Sequence, residues 1–174
     1  KDILGKMAKA CFDQNAAKTA QQLVVVVARK DLWRKRAKAN LTHLDTKQEL
    51  SAKELKRKKT ATDYYGKLIP TVYTDFFGIL GFLKYIAFQI VGIFRPIYRQ
   101  ARLSDMRIVA HKSAGLAARN FMLSMAAIGY DTCPMEGSDT LRVKRILDLP
   151  RGAEINMVIS CGIRDDKGIY GPRF

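Results

Sequence analysis

Met106, Ala110, Ala114, Ala117, Phe121, Met125 and Ile128 recur every three or four residues, and no other feature restricts the fold as much. That spacing predicts a helix over Leu103 to Ile128 with a single apolar face. Ser104 stands where an N-cap belongs, with Asp105 in the first turn. Gly129 follows directly, where a left-handed residue closes a helix at little cost. A tight polar turn, Asp131 to Gly137, comes next. Ser138 then reads as the N-cap of a second helix, which carries Asp139 in its first turn and stops before Pro150. Ile155 to Ile163 reads as a buried strand. Two helices therefore meet at a loop built from Pro and Gly, whose amides are free to bind a ligand.

Upstream, Val24 to Val27 places four β-branched residues in a row. This predicts a strand over Gln22 to Ala28 that is buried on both faces. Ile3, Leu4, Met7, Ala8 and Cys11 are spaced for an amphipathic helix that begins as if already under way. The sequence has no initiator Met and reads as part of a longer polypeptide, with more chain expected beyond Phe174. Two strands are too few for a free-standing sheet, so further strands, or strands lent by a partner, are expected.

The order of helix, Gly129-Tyr130, Pro134-Met135-Glu136-Gly137, helix, strand and Gly162 resembles the FMN-dependent nitroreductase family. The resemblance implies an α+β fold, with a central mixed or antiparallel sheet flanked by helices and the long helix at a dimer interface. It implies one domain over residues 1–174, incomplete at its N-terminus, with a basic and then apolar helical insert at about 41–100. The family's Arg- and Ser-rich opening segment, its Pro-Ser-Ser-type loop and its first strand have no counterpart here.

The resemblance also implies roles. The cofactor is FMN and the electron donor NAD(P)H. The main-chain amides of Glu136 and Gly137 lie by flavin N5 and O4, and Pro134 and Met135 wall the ring. Asn15 and Lys18, a few residues before the valine strand, contact the pyrimidine edge. A lysine there stabilises negative charge on the reduced ring, and an asparagine pairs with its amide edge. Arg173 follows the last strand and grips the phosphate, since an Arg fork matches phosphate geometry. Taken without the resemblance, Lys18 is a solvated helix end and Arg173 a solvated tail residue. The implied enzyme is a cytoplasmic homodimer. It passes electrons by a ping-pong mechanism to a small electron-poor acceptor such as a nitroaromatic or quinone.

Charge narrows the partners. Lys and Arg number 31 against 16 Asp and Glu, a net +15 that favours anionic ligands, among them FMN and the phosphates of NAD(P)H. Arg29 to Lys67 is basic and helical in pieces, interrupted at Asn40 to Asp45. Only Trp33, Tyr64 and Tyr65 interleave its charges, so it reads as a solvated face and no nucleic acid is expected as a partner. Cys11, Cys133 and Cys161 are odd in number and lack a CxxC pair. They argue against a disulfide framework and a structural zinc site, and suit a reducing cytosol. The two histidines, His43 and His111, are too far apart to suggest a metal cluster. No hydrolytic triad, P-loop or dinucleotide GxGxxG is present. Gly78-Ile79-Leu80-Gly81 sits in an apolar run and not after a strand.

Leu68 to Phe94 is long enough for a membrane span, but Asp75, Lys84, Gln89, Pro70 and three glycines oppose one. Three readings stand: a helix pair buried at a subunit interface, an interfacial segment with Arg95, Arg99 and Arg102 facing anionic lipid over residues 68–102, and a true span. The first is preferred, because a large apolar surface needs a partner. The aromatics Phe76, Phe77, Phe82, Tyr85 and Phe88 read as core. Two other functions compete with the flavoenzyme: a basic helical module for nucleic acid or membrane, and a family-like scaffold without cofactor.

Overall fold

The structure is a computed structural model that describes residues 2–45, 51–76, 78–165 and 167. In chain order the elements are α1 (Asp2–Ala10), α2 (Asn15–Thr19), β1 (Gln22–Ala28), α3 (Trp33–Leu44), α4 (Ala52–Asp63), α5 (Ile69–Tyr73), α6 (Ile79–Phe94), α7 (Leu103–Ala127), β2 (Asp131–Met135), α8 (Thr140–Ile146) and β3 (Glu154–Gly162). The fold is α+β, with helices flanking a small antiparallel sheet. Two compact units divide it, one of residues 1–28 with 111–174, the other of residues 29–110. The helical insert expected at about 41–100 falls inside the second.

In the first unit the sheet runs β1-β3-β2, both pairings antiparallel. β3 is central because nearly every second side chain on either face is apolar. Val158 packs into one core with Met7, Ala8, Cys11, Ala17, Met135 and Val143. Ile159 and Cys161 pack on the other face with Ala118. The valine run divides in the same way, Val25 and Val27 toward the first core, Val24 and Val26 toward the second. Both its faces are covered as expected, yet these valines are only half-buried, because β1 lies at the edge of the sheet. The ladder slips between Val26 and Val27: Val26 faces Met157 and Val27 faces Ile155, so Asn156 is an extra residue in β3.

Several sequence expectations are corrected here. Asp131 to Met135 is a strand rather than a turn, and it supplies the third strand. Pro134 has no N–H to give to a ladder, and an edge position such as β2 tolerates that loss. The cap of α8 is Asp139, whose carboxylate accepts from the Arg142 amide at 3.1 Å, in place of Ser138. α7 begins at Leu103, one residue ahead of the expected cap Ser104, and Asp105 reaches back to the Arg102 amide at 3.0 Å. Its buried residues are Met106 and Ala118, with Phe121, Met122 and Met125 half-buried around Ala118, while Ala117, expected on the same face, is exposed and Ile128 lies past the helix end and is 68% exposed. Gly129 adopts φ +86°, the left-handed closure expected of it.

The second unit is helical. α3 continues to Leu44, through most of the interruption expected at Asn40 to Asp45. Ser51 and Glu54 form a full capping box at the start of α4. Trp33 and Tyr73 pack ring to ring at 5.7 Å. Asp75 accepts from the amides of Phe76 and Gly81, at 2.8 and 2.9 Å, and so seats the start of α6. A Cβ at Gly81 would stand 2.9 Å from the same carboxylate, so any larger residue would have to displace the Asp75 side chain. Arg102 lies 3.7 Å over the Tyr85 ring. α6 turns Ile79, Leu83, Ile86, Ile90 and Ile93 outward, and Phe76 and Phe82 are exposed too, contrary to their reading as core. Phe77 lies outside the described residues. Among those described, no helix is long and apolar enough to cross a membrane.

Candidate functional site

α1 ends in a sharp turn. Cys11 closes it with its amide on the Met7 carbonyl at 2.9 Å, and the Asp13 amide reaches the Ala8 carbonyl at 2.9 Å. Phe12 and Asp13 both take positive φ, +58° and +53°, a conformation that costs a non-glycine residue about 1–3 kcal/mol. Cys11 lies fully buried beneath the turn, and burial pushes its thiol pKa up, so it acts as a small apolar side chain and not as a nucleophile. Gln14 then leads into α2, its carbonyl accepting from the amides of Ala17 and Lys18 at 2.9 and 3.0 Å. Ala17 is the buried anchor of this short helix, while Asn15 and Lys18 are exposed.

β2 delivers the second group of candidates. Met135 is 2% exposed and shares a core with Ala17, so the strand end and α2 are packed on common ground. The Met135 side chain is part of that core. Pro134 points to the opposite side of the pleat and is exposed, as are Glu136 and Gly137 just beyond the strand.

Two long-range bonds tie the segment after β2 to the turn after α1. The Gln14 side-chain amide donates to the Gly137 carbonyl at 2.9 Å. The Asp139 amide donates to the Ala10 carbonyl at 2.7 Å. Among the described residues no hydrogen bond is made by the amides of Glu136 or Gly137. The structure therefore brings Asn15, Lys18, Pro134, Glu136 and Gly137 onto two adjoining, exposed segments of one unit. Arg173 lies outside the described residues. Arg164 is a described cation that follows β3, and it meets Asp131 through its backbone amide at 3.3 Å and its guanidinium at 3.8 Å. No group of three His, Cys, Asp or Glu able to hold a metal ion occurs among the described residues.

Sequence reasoning missed Gln14. Its position just ahead of Asn15 was visible, but nothing local signals a partner 123 residues away.

An exposed loop whose Glu136 and Gly137 amides make no hydrogen bond among the described residues, beside a helix bearing Asn and Lys, offers donors to a ligand with acceptor atoms. The chain belongs to the nitroreductase family, whose family model matches residues 1–163. Protein DrgA of Synechocystis is 39% identical over 81 residues, which make up 47% of this chain and 38% of that protein. The match thus spans less than half of that relative's length. Among solved structures, ydfN of Bacillus subtilis superposes with a TM-score of 0.65 at 23% identity, over 99% of this chain and 68% of that one. A protein of Exiguobacterium sibiricum, crystallised in complex with FMN, gives 0.54 at 17% identity, over 98% and 67%. At such identities these structures speak for the fold alone.

Proposed function

We propose that this chain is an FMN-dependent oxidoreductase of the nitroreductase type, passing electrons from NAD(P)H to an electron-poor acceptor such as a nitroaromatic or quinone. The observation that carries the reading is the pair of exposed residues Glu136 and Gly137 beside α2, whose amides make no hydrogen bond among the described residues. Membership of the family and the FMN bound by the Exiguobacterium relative support it.

The residues present fit the cofactor. Buried backbone donors are expensive to leave unmade, whereas exposed ones are available to a ligand. Glu136 and Gly137 would donate to acceptor atoms on the flavin rim. Pro134, rigid and exposed, would lie against the ring plane. Lys18 would place its ammonium by the pyrimidine edge, where charge grows on reduction, and Asn15 would pair with the ring amide. Arg173 is proposed for the phosphate. FMN itself supplies the chemistry when bound, accepting a hydride and later delivering two electrons. The protein's share is to hold donors in place before charge develops.

A homodimer is part of the proposal. On the portion of α7 in the first unit, Leu116 and Leu123 are 70% and 53% exposed, one heptad apart. A second copy would remove that stripe from water.

The test is a visible spectrum of the purified protein with added FMN, followed by NADPH without oxygen. A protein-bound flavin spectrum that bleaches on reduction is expected. A protein that takes up no FMN overturns the reading.

A further inference from the structure

We propose that Gln14 is a positioning residue that holds the loop at Glu136 and Gly137 in the shape its ligand needs. This rests on the flavin reading above. The Gln14 side-chain amide donates to the Gly137 carbonyl at 2.9 Å, a bond that joins segments 123 residues apart.

Three observations give the bond its purpose. First, Phe12 and Asp13 hold positive φ in succession immediately before Gln14. Strain of that kind persists only when the surroundings over-determine it. Here Cys11 and Ala10 are buried on one side of the turn, and Gln14 is delivered to the loop on the other. Second, the Asp139 amide is held by the Ala10 carbonyl at 2.7 Å, so the loop is pinned at two points by the same turn. Fixing the Gly137 carbonyl sets the plane of the peptide after Gly137, and fixing the Asp139 amide sets the plane of the next peptide. Third, a Cβ placed on Gly137 would lie 3.7 Å from the Gln14 amide nitrogen, so the two approach to ordinary contact with no room for water between them.

A glycine in a loop is otherwise free to rotate through much of φ/ψ space. Without the Gln14 bond the Gly137 peptide would fluctuate, and the two unspent amides before it would lose their common aim. Preorganised donors are effective because they need no reorganisation as charge develops. Gln14 touches no reacting atom in this scheme. It acts through Gly137.

The experiment compares the unaltered protein with Gln14→Met, which keeps the length of the side chain and removes the donor. Gln14→Glu, which keeps the shape and presents an acceptor, is the second variant. Amide hydrogen exchange at Asp139, the amide of this loop that is bonded to the Ala10 carbonyl, is read by NMR together with the FMN dissociation constant and the melting temperature. Both variants are expected to exchange about tenfold faster at this amide, and to bind FMN about tenfold more weakly, with the melting temperature nearly unchanged. Unaltered exchange overturns the inference. Faster exchange with unchanged FMN affinity also overturns it, since the bond would then serve the loop alone. If the unaltered protein takes up no FMN, the flavin reading fails and the positioning role fails with it, while the exchange rates still show whether Gln14 pins the loop.

Discussion

The side-chain amide nitrogen of Asn156 lies 3.2 Å from the backbone carbonyl of His111 and 3.1 Å from that residue's ring Nδ1. The carbonyl can only accept, so the ring nitrogen beside it accepts as well. The ring proton then sits on Nε2, 3.1 Å from a carboxylate oxygen of Glu154. Asn156 is the extra residue of the β3 bulge, and the bulge is what turns its side chain toward α7. Replacing Asn156 with Ala removes both bonds and leaves the ring Nδ1 of His111 without its donor, while the His111 carbonyl stays within the α7 helix. A loss of about 1–3 kcal/mol is expected in urea unfolding. A loss below about 0.5 kcal/mol would show that water replaces the amide.

Ile159 is fully buried at the centre of the sheet, against Ala118 of α7. Ile159→Val should cost about 0.5–1.5 kcal/mol and Ile159→Ala about 2–5 kcal/mol, with the second-face core losing its packing first. Denaturant midpoints at constant slope are the measurement. Equal effects of the two substitutions would mean the site collapses around the smaller side chain.

Lys18 is exposed at the end of α2, so its removal should leave stability almost untouched. If it stands at the pyrimidine edge, Lys18→Glu should weaken FMN binding by about tenfold or more and slow flavin reduction. Equilibrium titration with FMN reads the first effect. Unchanged affinity and rate would remove Lys18 from the site.

Cys133 is exposed and Cys11 and Cys161 are buried, all three as free thiols. Burial raises the pKa of Cys11 and Cys161 above the ordinary 9.0, and only the thiolate reacts with an alkylating agent. Iodoacetamide at pH 8 should therefore add one label, at Cys133, before the other two react. Because the fold keeps those two protonated, their contribution to stability is fully present below 9.0 and is lost as pH climbs through their raised values. Mass spectrometry of the labelled peptides decides the order.

Glu54 accepts from both the hydroxyl and the amide of Ser51, and the hydroxyl bond is the larger cause of its pKa falling below the ordinary 4.5. A lowered carboxyl stabilises the fold above its unfolded value, and that stabilisation is lost as pH falls through the folded value. The first turn of α4 should thus keep its amide protection to a pH below 4.5. Ser51→Ala should return Glu54 toward ordinary titration, which NMR of the carboxyl carbon would show. An unshifted titration in that variant would dismiss the capping box as the cause.

The amino-acid order by itself determined the elements whose signal is local. The repeat in α7, the valine run of β1, the apolar β3 and the left-handed Gly129 are properties of neighbours within a few residues, and they are present where they were expected. So was the family pattern of Pro134-Met135-Glu136-Gly137. Tertiary structure decided what local signals misstate. Asp131 to Met135 carries turn residues and becomes a strand, because β3 offers it a free edge and the core accepts Met135. Ile128 shares the spacing of the core face and is turned to solvent, because the helix ends before it. Gln14 meets Gly137, and Asn156 meets His111, only because the sheet brings distant segments together. Periodicity is written in adjacent residues, whereas a contact across the fold depends on every element between its ends.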